Sequence, residues 1–474
     1  MTSVSGLTRP PGHLTIALLV VPSNSGEGVR VRTHLPLAIA IALLTVAGTA
    51  WAATGAISPR GCIADIGNNP GGCPRTTSGL NDTQFVAVSS DGRSVYAGGY
   101  ADNAIVRFKR DQDTGALKPK GCVGNDGSNP DGCAQTADGL VAPPSIVVSR
   151  DGRSVYSASD ESNDSAGARF KRDRKTGELK PKGCVADPDT NPDGCATTAE
   201  GLNGGTSAVA ISRDGKSVYF ASGNDDAIVR FKRNTTTGAL TPKGCVADTD
   251  SSAGCGKTTK GLTNPHAVTV SRDGTSVYAT GSQDNAIVRF KRDPGTGGLK
   301  PKGCVGDKVD NPDACGKTAK GLDSPLSVIV SRDGKSVYAT AQSADAIVRF
   351  KRDRETGALT PKGCIADPDT NTSGCGHTAQ GLDTPGPPTV SPDSRSVYVA
   401  GLADNAIVRF KRNRDTGALG PRGCVGDTDN NLAGCGRTAQ GLDDVFALAV
   451  SADGKSVYSA SVGDNAILNL HRER

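Results

Sequence analysis

Seven copies of one unit of about sixty residues run through this chain, and the series starts and stops in mid-unit. The fullest copy of the unit's tail, Asp284-Asn285-Ala286-Ile287-Val288-Arg289-Phe290-Lys291-Arg292, returns with small edits at 102–110, 225–233, 345–353 and 404–412. Degraded versions stand at 164–172 and 464–472. A period this long in strand-like wording restricts the chain to a solenoid or a closed array, because each unit must bury its faces on its neighbours. The offset is the second constraint. Thr54-Gly55-Ala56-Ile57-Ser58-Pro59-Arg60-Gly61-Cys62 matches Thr237-Gly238-Ala239-Leu240-Thr241-Pro242-Lys243-Gly244-Cys245, the end of a unit, and the chain stops at Leu470-His471-Arg472, just before that phrase falls due. The N-terminal stretch is therefore expected to supply what the last unit lacks.

Each unit holds four strand-like runs divided by turn signals. In the fourth copy they are 267–271, 276–280, 286–291 and 298–302, with Arg272-Asp273-Gly274-Thr275 as the first hairpin turn. Glycine there supplies the positive φ that a tight hairpin needs. No unit shows an apolar stripe of helical period. Four antiparallel strands, seven copies and no helix predict an all-β fold, a seven-bladed β-propeller. Residues 56–60 are expected to pair with 466–470 as the outermost strand of the last blade, covering a sheet edge that is otherwise exposed. Recurring Tyr96, Tyr156, Tyr219, Tyr278, Tyr338, Tyr398 and Tyr458 are then core side chains between blades. Phe85, Tyr100, Phe220 and Phe446 break that register and draw attention as departures from the repeat.

The first 53 residues stand apart. Arg30, Arg32 and His34 precede an apolar run from Leu35 to Ala47, and small residues follow at Ala50 and Ala52. This is the pattern of a secretory signal over 1–52, cleaved after Ala52, with an uncleaved membrane anchor as the alternative. Residues 53–474 form the propeller domain. Cleavage removes Trp51, the single tryptophan, and leaves 51 basic and 48 acidic residues (54 − 3 and 49 − 1), a net charge of about +3 that says little about partners.

Fourteen cysteines fall as one pair per unit: Cys62 with Cys73, Cys122 with Cys133, Cys184 with Cys195, Cys245 with Cys255, Cys304 with Cys315, Cys364 with Cys375, and Cys424 with Cys435. Even numbers at fixed spacing in an exported chain read as disulfides within each unit. Zinc is a poor alternative, since there is no Cys-x-x-Cys and the body of the chain holds only His266, His377 and His471.

Antiparallel topology puts the cysteine loops and the Asp-Asn turns on one face, rich in carboxylates, and the Ser-Arg-Asp-Gly-Lys and Lys-Arg-Asp turns on the other. On the acidic face Asp187, Asp189, Asn191 and Asp193 offer oxygen at every second position, and Asp367, Asp369 and Asn371 repeat the pattern. Alternate oxygens in a tight loop suit Ca²⁺, and the same residues suit Asx turns that bond their own backbone. Enzyme motifs are missing: there is no Gly-x-Ser-x-Gly and no His-Glu-x-x-His. His266, just ahead of an innermost strand, is the weak catalytic candidate at the channel mouth. The insert Ser159-Asp160-Glu161-Ser162-Asn163-Asp164 is the natural place for blade-specific recognition. Strand-three Arg and Lys lack exposed stacking aromatics, which argues against nucleic acid.

The wording Ser-x-Asp-Gly-Lys-Ser-Val-Tyr followed by Asp-Asn-Ala-Ile-Val-x-Phe-x-Arg-Asp-x-x-Thr-Gly-Ala-Leu resembles the lactonase-like seven-bladed propellers and the related Tyr-Val-Thr-Asn-type repeats. The resemblance covers 54–474 and rests on blade-building residues, so it assigns no catalytic position. It implies the fold; some relatives hydrolyse 6-phosphogluconolactone. Two functions follow as expectations. One is an exported monomeric binding scaffold, calcium-stabilised, whose acidic face takes a protein, glycan or small molecule, with membrane contact only through an uncleaved leader. The alternative is a lactone hydrolase with its site at the channel mouth.

Overall fold

The computed structural model describes residues 54–160, 167–203 and 205–474, so the leader and residues 161–164 of the insert lie outside the described residues. Residues Ala52–Arg474 make one compact unit. Seven sheets follow one another in a ring, and every element among the described residues is a strand. In the fourth blade the order from the centre outward is Val268–Val270, Ser276–Gly281, Ala286–Arg292 and Leu299–Asp307, all antiparallel. The first strands of successive blades touch one another, so they line the central channel.

The blades hold five strands rather than the four expected. The fifth is short, Thr318–Ala319 in the fourth blade, and runs parallel to the outermost long strand. The disulfide explains it. Cys304 and Cys315 close an eleven-residue step, the loop doubles back, and the returning segment lies beside the strand it left. The other six expected bridges are present too. Cys62 is bonded to Cys73, Cys122 to Cys133 and Cys184 to Cys195. Cys245 is bonded to Cys255, Cys364 to Cys375 and Cys424 to Cys435, and no described cysteine is free.

The fourth strand also runs further than 298–302. It crosses a bulge, where Lys302 and Gly303 together stand opposite Arg289, between the pairs Val288–Cys304 and Phe290–Pro301. Gly303 has φ of 83°, which an L side chain resists, and so the bulge takes glycine. Arg289 repairs the ladder there: its guanidinium donates to the carbonyl of Lys302 at 3.0 Å and to that of Thr356 in the next blade at 2.7 Å.

The ring closes as anticipated, with a longer clasp. Strand Ile57–Asp65 pairs antiparallel with Ala466–Arg472, from Ile57 opposite Arg472 to Ala64 opposite Ala466. The expected span of 56–60 stops short because the bulge after Pro59 resets the register and lets pairing continue past Cys62.

The recurring tyrosines lie between blades with no exposed surface, and they do more than fill space. Tyr278 donates from its hydroxyl to the carbonyl of Gly357 in the next blade, at 2.6 Å, and accepts from Nε of Arg352 at 2.9 Å. Arg352 also grips Asp273 with both terminal nitrogens, at 2.8 and 3.1 Å, and Ser276 at 3.1 Å. The same Arg–Tyr–Asp–Ser latch joins every neighbouring pair of blades, through Arg110, Arg172, Arg233, Arg292, Arg352, Arg412 and Arg472. A buried guanidinium is tolerable only when its donors are satisfied, and here they are. Burial opposes ionisation of Asp273, but Arg352, Ser271 and Thr275 outweigh it and hold the carboxyl at about 2.

Two of the four aromatics outside the repeat are core. Phe85 fills the space over Gly98, where a Cβ would overlap its ring, and Phe220 stacks edge-on against Phe231 at 5.6 Å. Tyr100 and Phe446 are partly exposed.

Candidate functional site

The carboxylate-rich loops gather on the face where each innermost strand begins. The Asp and Asn side chains there have three distinct jobs. The first is to stitch blades together. Asn285 accepts the backbone N–H of Ser324 at 2.8 Å, Asp226 that of Asn264 at 2.7 Å, and Asn405 that of Asp444 at 2.7 Å. Each residue whose N–H is accepted has positive φ, as have Asp82, Ala142 and Thr384 at the same place in other blades. A left-handed step at the entrance of an innermost strand turns its N–H toward the preceding blade.

The second job is within the cysteine loops. Asp187 accepts from Asp189 N at 2.9 Å and from Leu202 N at 3.4 Å, while Asn191 exchanges two bonds with the backbone of Cys195, at 2.7 and 3.0 Å. Asp193 instead accepts from Gly139 N, at 2.5 Å, at the entrance of the innermost strand of its own blade. Asp367 and Asn371 repeat this arrangement with Asp369 N, Leu382 N and Cys375. The residues whose spacing suits calcium are thus turned to separate backbone groups, and Asp189 and Asp369 are exposed. The cysteines frame these loops and go no further. Cys73, Cys255 and Cys435 are the loop-side halves of bridges whose other halves lie on an outermost long strand. Those three positions, like the other eleven cysteines, therefore belong to the outer edge of the blades and not to the channel mouth.

The third job was not visible in any one loop. Asp65, Asp102 and Asp131 come from three segments, and each offers a ligand atom within 4.8 Å of the others. Three successive backbone N–H groups point into them: Gly79 to Asp131, Leu80 to Asp65 at 3.1 Å and Asn81 to Asp102 at 2.8 Å. Asp248, Asp284 and Asp313 form the same trio around Gly261, Leu262 and Thr263. Burial, then the charges of Asp131 and Asp65, push the Asp102 carboxyl up to about 6 in spite of the Asn81 N–H. In other blades a member is lost, as at Ala253, Ala344 and Gly71.

Inside this acidic rim the blades differ. At the position just before the strand core the seven copies carry Gln84, Pro144, Ser207, His266, Leu326, Gly386 and Phe446, all partly exposed except Gly386. One seam of the mouth is polar. Ser207 and Asn264 flank Gly223, where a Cβ would sit 2.8 Å from Asn264 Oδ1 and 3.9 Å from Ser207 Oγ. His266 stands two residues on, with its backbone N–H on Thr280 Oγ1 at 3.2 Å. Burial alone pushes its imidazole pKa below the ordinary histidine value, so the ring is neutral at pH 7. A neutral imidazole on the same loop as Asn264 can take a proton from an attacking water, and the hydroxyl and amide that approach Gly223 can hold a polar substrate. Sequence reasoning picked out His266 and missed its neighbours. The signal for them was the mismatch among copies at one register.

Residues 184–312 match the family model described as lactonase, seven-bladed β-propeller. No curated protein matches the chain in sequence. Among solved structures, the fold is similar to a candidate 6-phosphogluconolactonase of Bacteroides uniformis, with TM-score 0.53, 21% identity and coverage of 78% of this chain and 88% of the other. The periplasmic gluconolactonase of Pseudomonas aeruginosa gives TM-score 0.52, 17% identity and coverage of 76% and 90%. The hydrazine synthase of Kuenenia stuttgartiensis gives 0.51 at 14% identity, covering 84% and 98%, so likeness at this level carries the fold and leaves chemistry to the site. In its matched segment and in its ring of seven blades, the chain resembles the lactonase-like seven-bladed β-propellers.

Proposed function

We propose that this protein is an extracytoplasmic lactone hydrolase acting on an uncharged sugar lactone at the acidic mouth of its channel. The observation that carries the reading is a coincidence of two kinds of information. The segment matching the lactonase model, 184–312, is also the one that supplies Ser207, Gly223, Asn264 and His266 to the polar seam. That supports hydrolysis over the binding scaffold that near-identical blades suggest. In the proposed reaction neutral His266 takes a proton from water as its oxygen adds to the lactone carbonyl. The ring C–O bond then breaks, and the His266 imidazolium returns its proton to the departing oxygen, giving the open hydroxy acid and restoring the neutral ring. Ser207 and Asn264 hold the polar substrate.

Carboxylates around the mouth set the charge preference. Asp82, Asp225 and Asp226 all have carboxyls pushed upward by burial, which marks a site already poor in counter-charge. A phosphorylated lactone is repelled there, and an uncharged polyol offers hydroxyl donors to the same oxygens. Seven disulfides fit an oxidising compartment, and a secretory leader over 1–52 supplies the route. The test is turnover of glucono-1,5-lactone by the oxidised protein, beside its 6-phosphate and the His266→Ala variant. Faster opening of the neutral lactone, lost in the variant, is the expected result. Rates equal to spontaneous hydrolysis for both lactones would refute it.

A further inference from the structure

The opposite mouth of the channel carries a charge pattern that the blade framework does not use. The turn leaving each innermost strand begins Ser-x-Asp, and x is Ser90, Arg150, Arg213, Arg272, Arg332, Pro392 and Ala452 in chain order. Four successive blades therefore place an exposed arginine at one register, next to the channel. These positions adjoin from blade to blade: Ser90 Oγ donates to the carbonyl of Arg150 at 3.0 Å, and Arg272 Nη1 to that of Arg332 at 3.4 Å.

The nearest carboxylates are already committed. Asp151, Asp214, Asp273 and Asp333, each following one of these arginines, pair inward with the buried Arg233, Arg292, Arg352 and Arg412. Asp393 lies close enough to be felt by Arg332 but is held by Arg472. Among the described residues no ion pair reaches Arg150, Arg213, Arg272 or Arg332. They act on one another instead. Desolvation and the charges of Arg272 and Arg150 pull the Arg213 pKa down, and desolvation and Arg272 do the same to Arg332. Repulsion between neighbours with nothing opposite is a cost to the free protein, and an anion at the mouth removes it.

We propose that the arc of Arg150, Arg213, Arg272 and Arg332 binds a compact multivalent oxyanion, a polycarboxylate or polyphosphate seated at the channel mouth. Curvature selects the shape. Four of seven blades span a little over half the ring, so a compact anion near the axis faces all four guanidinium groups, while a stiff rod across the mouth meets two. Guanidinium forks suit carboxylate and phosphate oxygens alike. This site lies at the other end of the channel from the lactone mouth, and neither reading depends on the other.

The test is isothermal titration of the full oxidised protein with citrate and with tripolyphosphate at low ionic strength. Saturable binding that salt weakens is expected for at least one of them, and the tighter one names the source. Among the described residues Arg150 and Arg213 donate no hydrogen bond from their guanidinium groups, so Arg150→Gln/Arg213→Gln should melt no lower than the parent. It should bind about tenfold or more weakly. Arg414→Gln, an exposed cation in an outer turn of the same face, should bind as the parent does. Absence of saturable binding by either anion, or equal affinity in the double variant, overturns the proposal.

Discussion

Tyr398 donates its hydroxyl to the backbone carbonyl of Gly55 at 2.6 Å, joining residues 343 positions apart in the chain. Tyr278 makes the same bond to Gly357, and Tyr458 to Gly115, at the same length. The seam where the two ends of the repeat meet is thus held like the covalent junctions, by strand pairing and by one latch.

Removing residues 54–61 should open this seam. It takes away the carbonyl of Gly55 and the first half of the closing strand, yet leaves Cys62 and its disulfide to Cys73. Residues 469–472 of the strand Ala466–Arg472 then present a bare edge, and aggregation on heating should set in at a lower temperature than for the parent. Light scattering during a thermal ramp measures it, and a parental trace would contradict the clasp.

Tyr278→Phe keeps the packed ring and removes one oxygen. Nε of Arg352 and the carbonyl of Gly357 then lose a partner in a buried place. The expected loss is about 1–3 kcal/mol, read from chemical denaturation under oxidising conditions.

Replacing both Cys245 and Cys255 by serine releases a single short loop. The chain-entropy account gives a loss of about 3 kcal/mol for a loop of this size. The variant should still fold, since the loop hangs outside the ring of latches, and its fifth strand Thr258–Thr259 should show the largest rise in amide exchange.

Acid should act in two opposite steps. Asp102 and Asp464 titrate in the native state at about 6, above their ordinary 3.8, so protonation favours the folded form. Stability should rise as pH falls through about 6 and level off near the ordinary carboxyl value, about 4. The latch carboxylates are shifted the other way, Asp273 to about 2. Their contribution is whole above the ordinary value and disappears as pH falls from there toward about 2. Melting temperature against pH should therefore peak on the acid side of neutrality. Asp102→Asn should raise the neutral-pH value and leave the acid limb in place.

What could be read from the residues followed from how the repeat is built. Strand alternation, turn glycines and paired cysteines act locally, so blade count, disulfides and closure were legible from wording alone. The latch was less so. Arg292 looks like an ordinary polar end to a strand, and only the ring's geometry brings Tyr219, Asp214 and Ser217 of another blade onto it. A clue was present in the last unit, where Phe becomes Leu470 and Lys becomes His471 while Arg472 is kept. The acidic trios were hidden for a similar reason: Asp65, Asp102 and Asp131 meet across three segments, and no single loop spells them. His266 was legible as an odd residue at an odd place, but the approach of Ser207 and Asn264 to one another across Gly223 needed the fold.

The recurrence of one latch at every junction also bears on what the chain's linear order means. Gly55, Gly115, Gly177, Gly238, Gly297, Gly357 and Gly417 each accept a tyrosine hydroxyl, so the folded ring contains no junction that differs in kind from the rest. Being first or last is a property of the gene and not of the object. Joining 474 to 54 and cutting instead at another outer turn, such as after Asp113, rotates the reading frame of blades and leaves all seven latches between them in place.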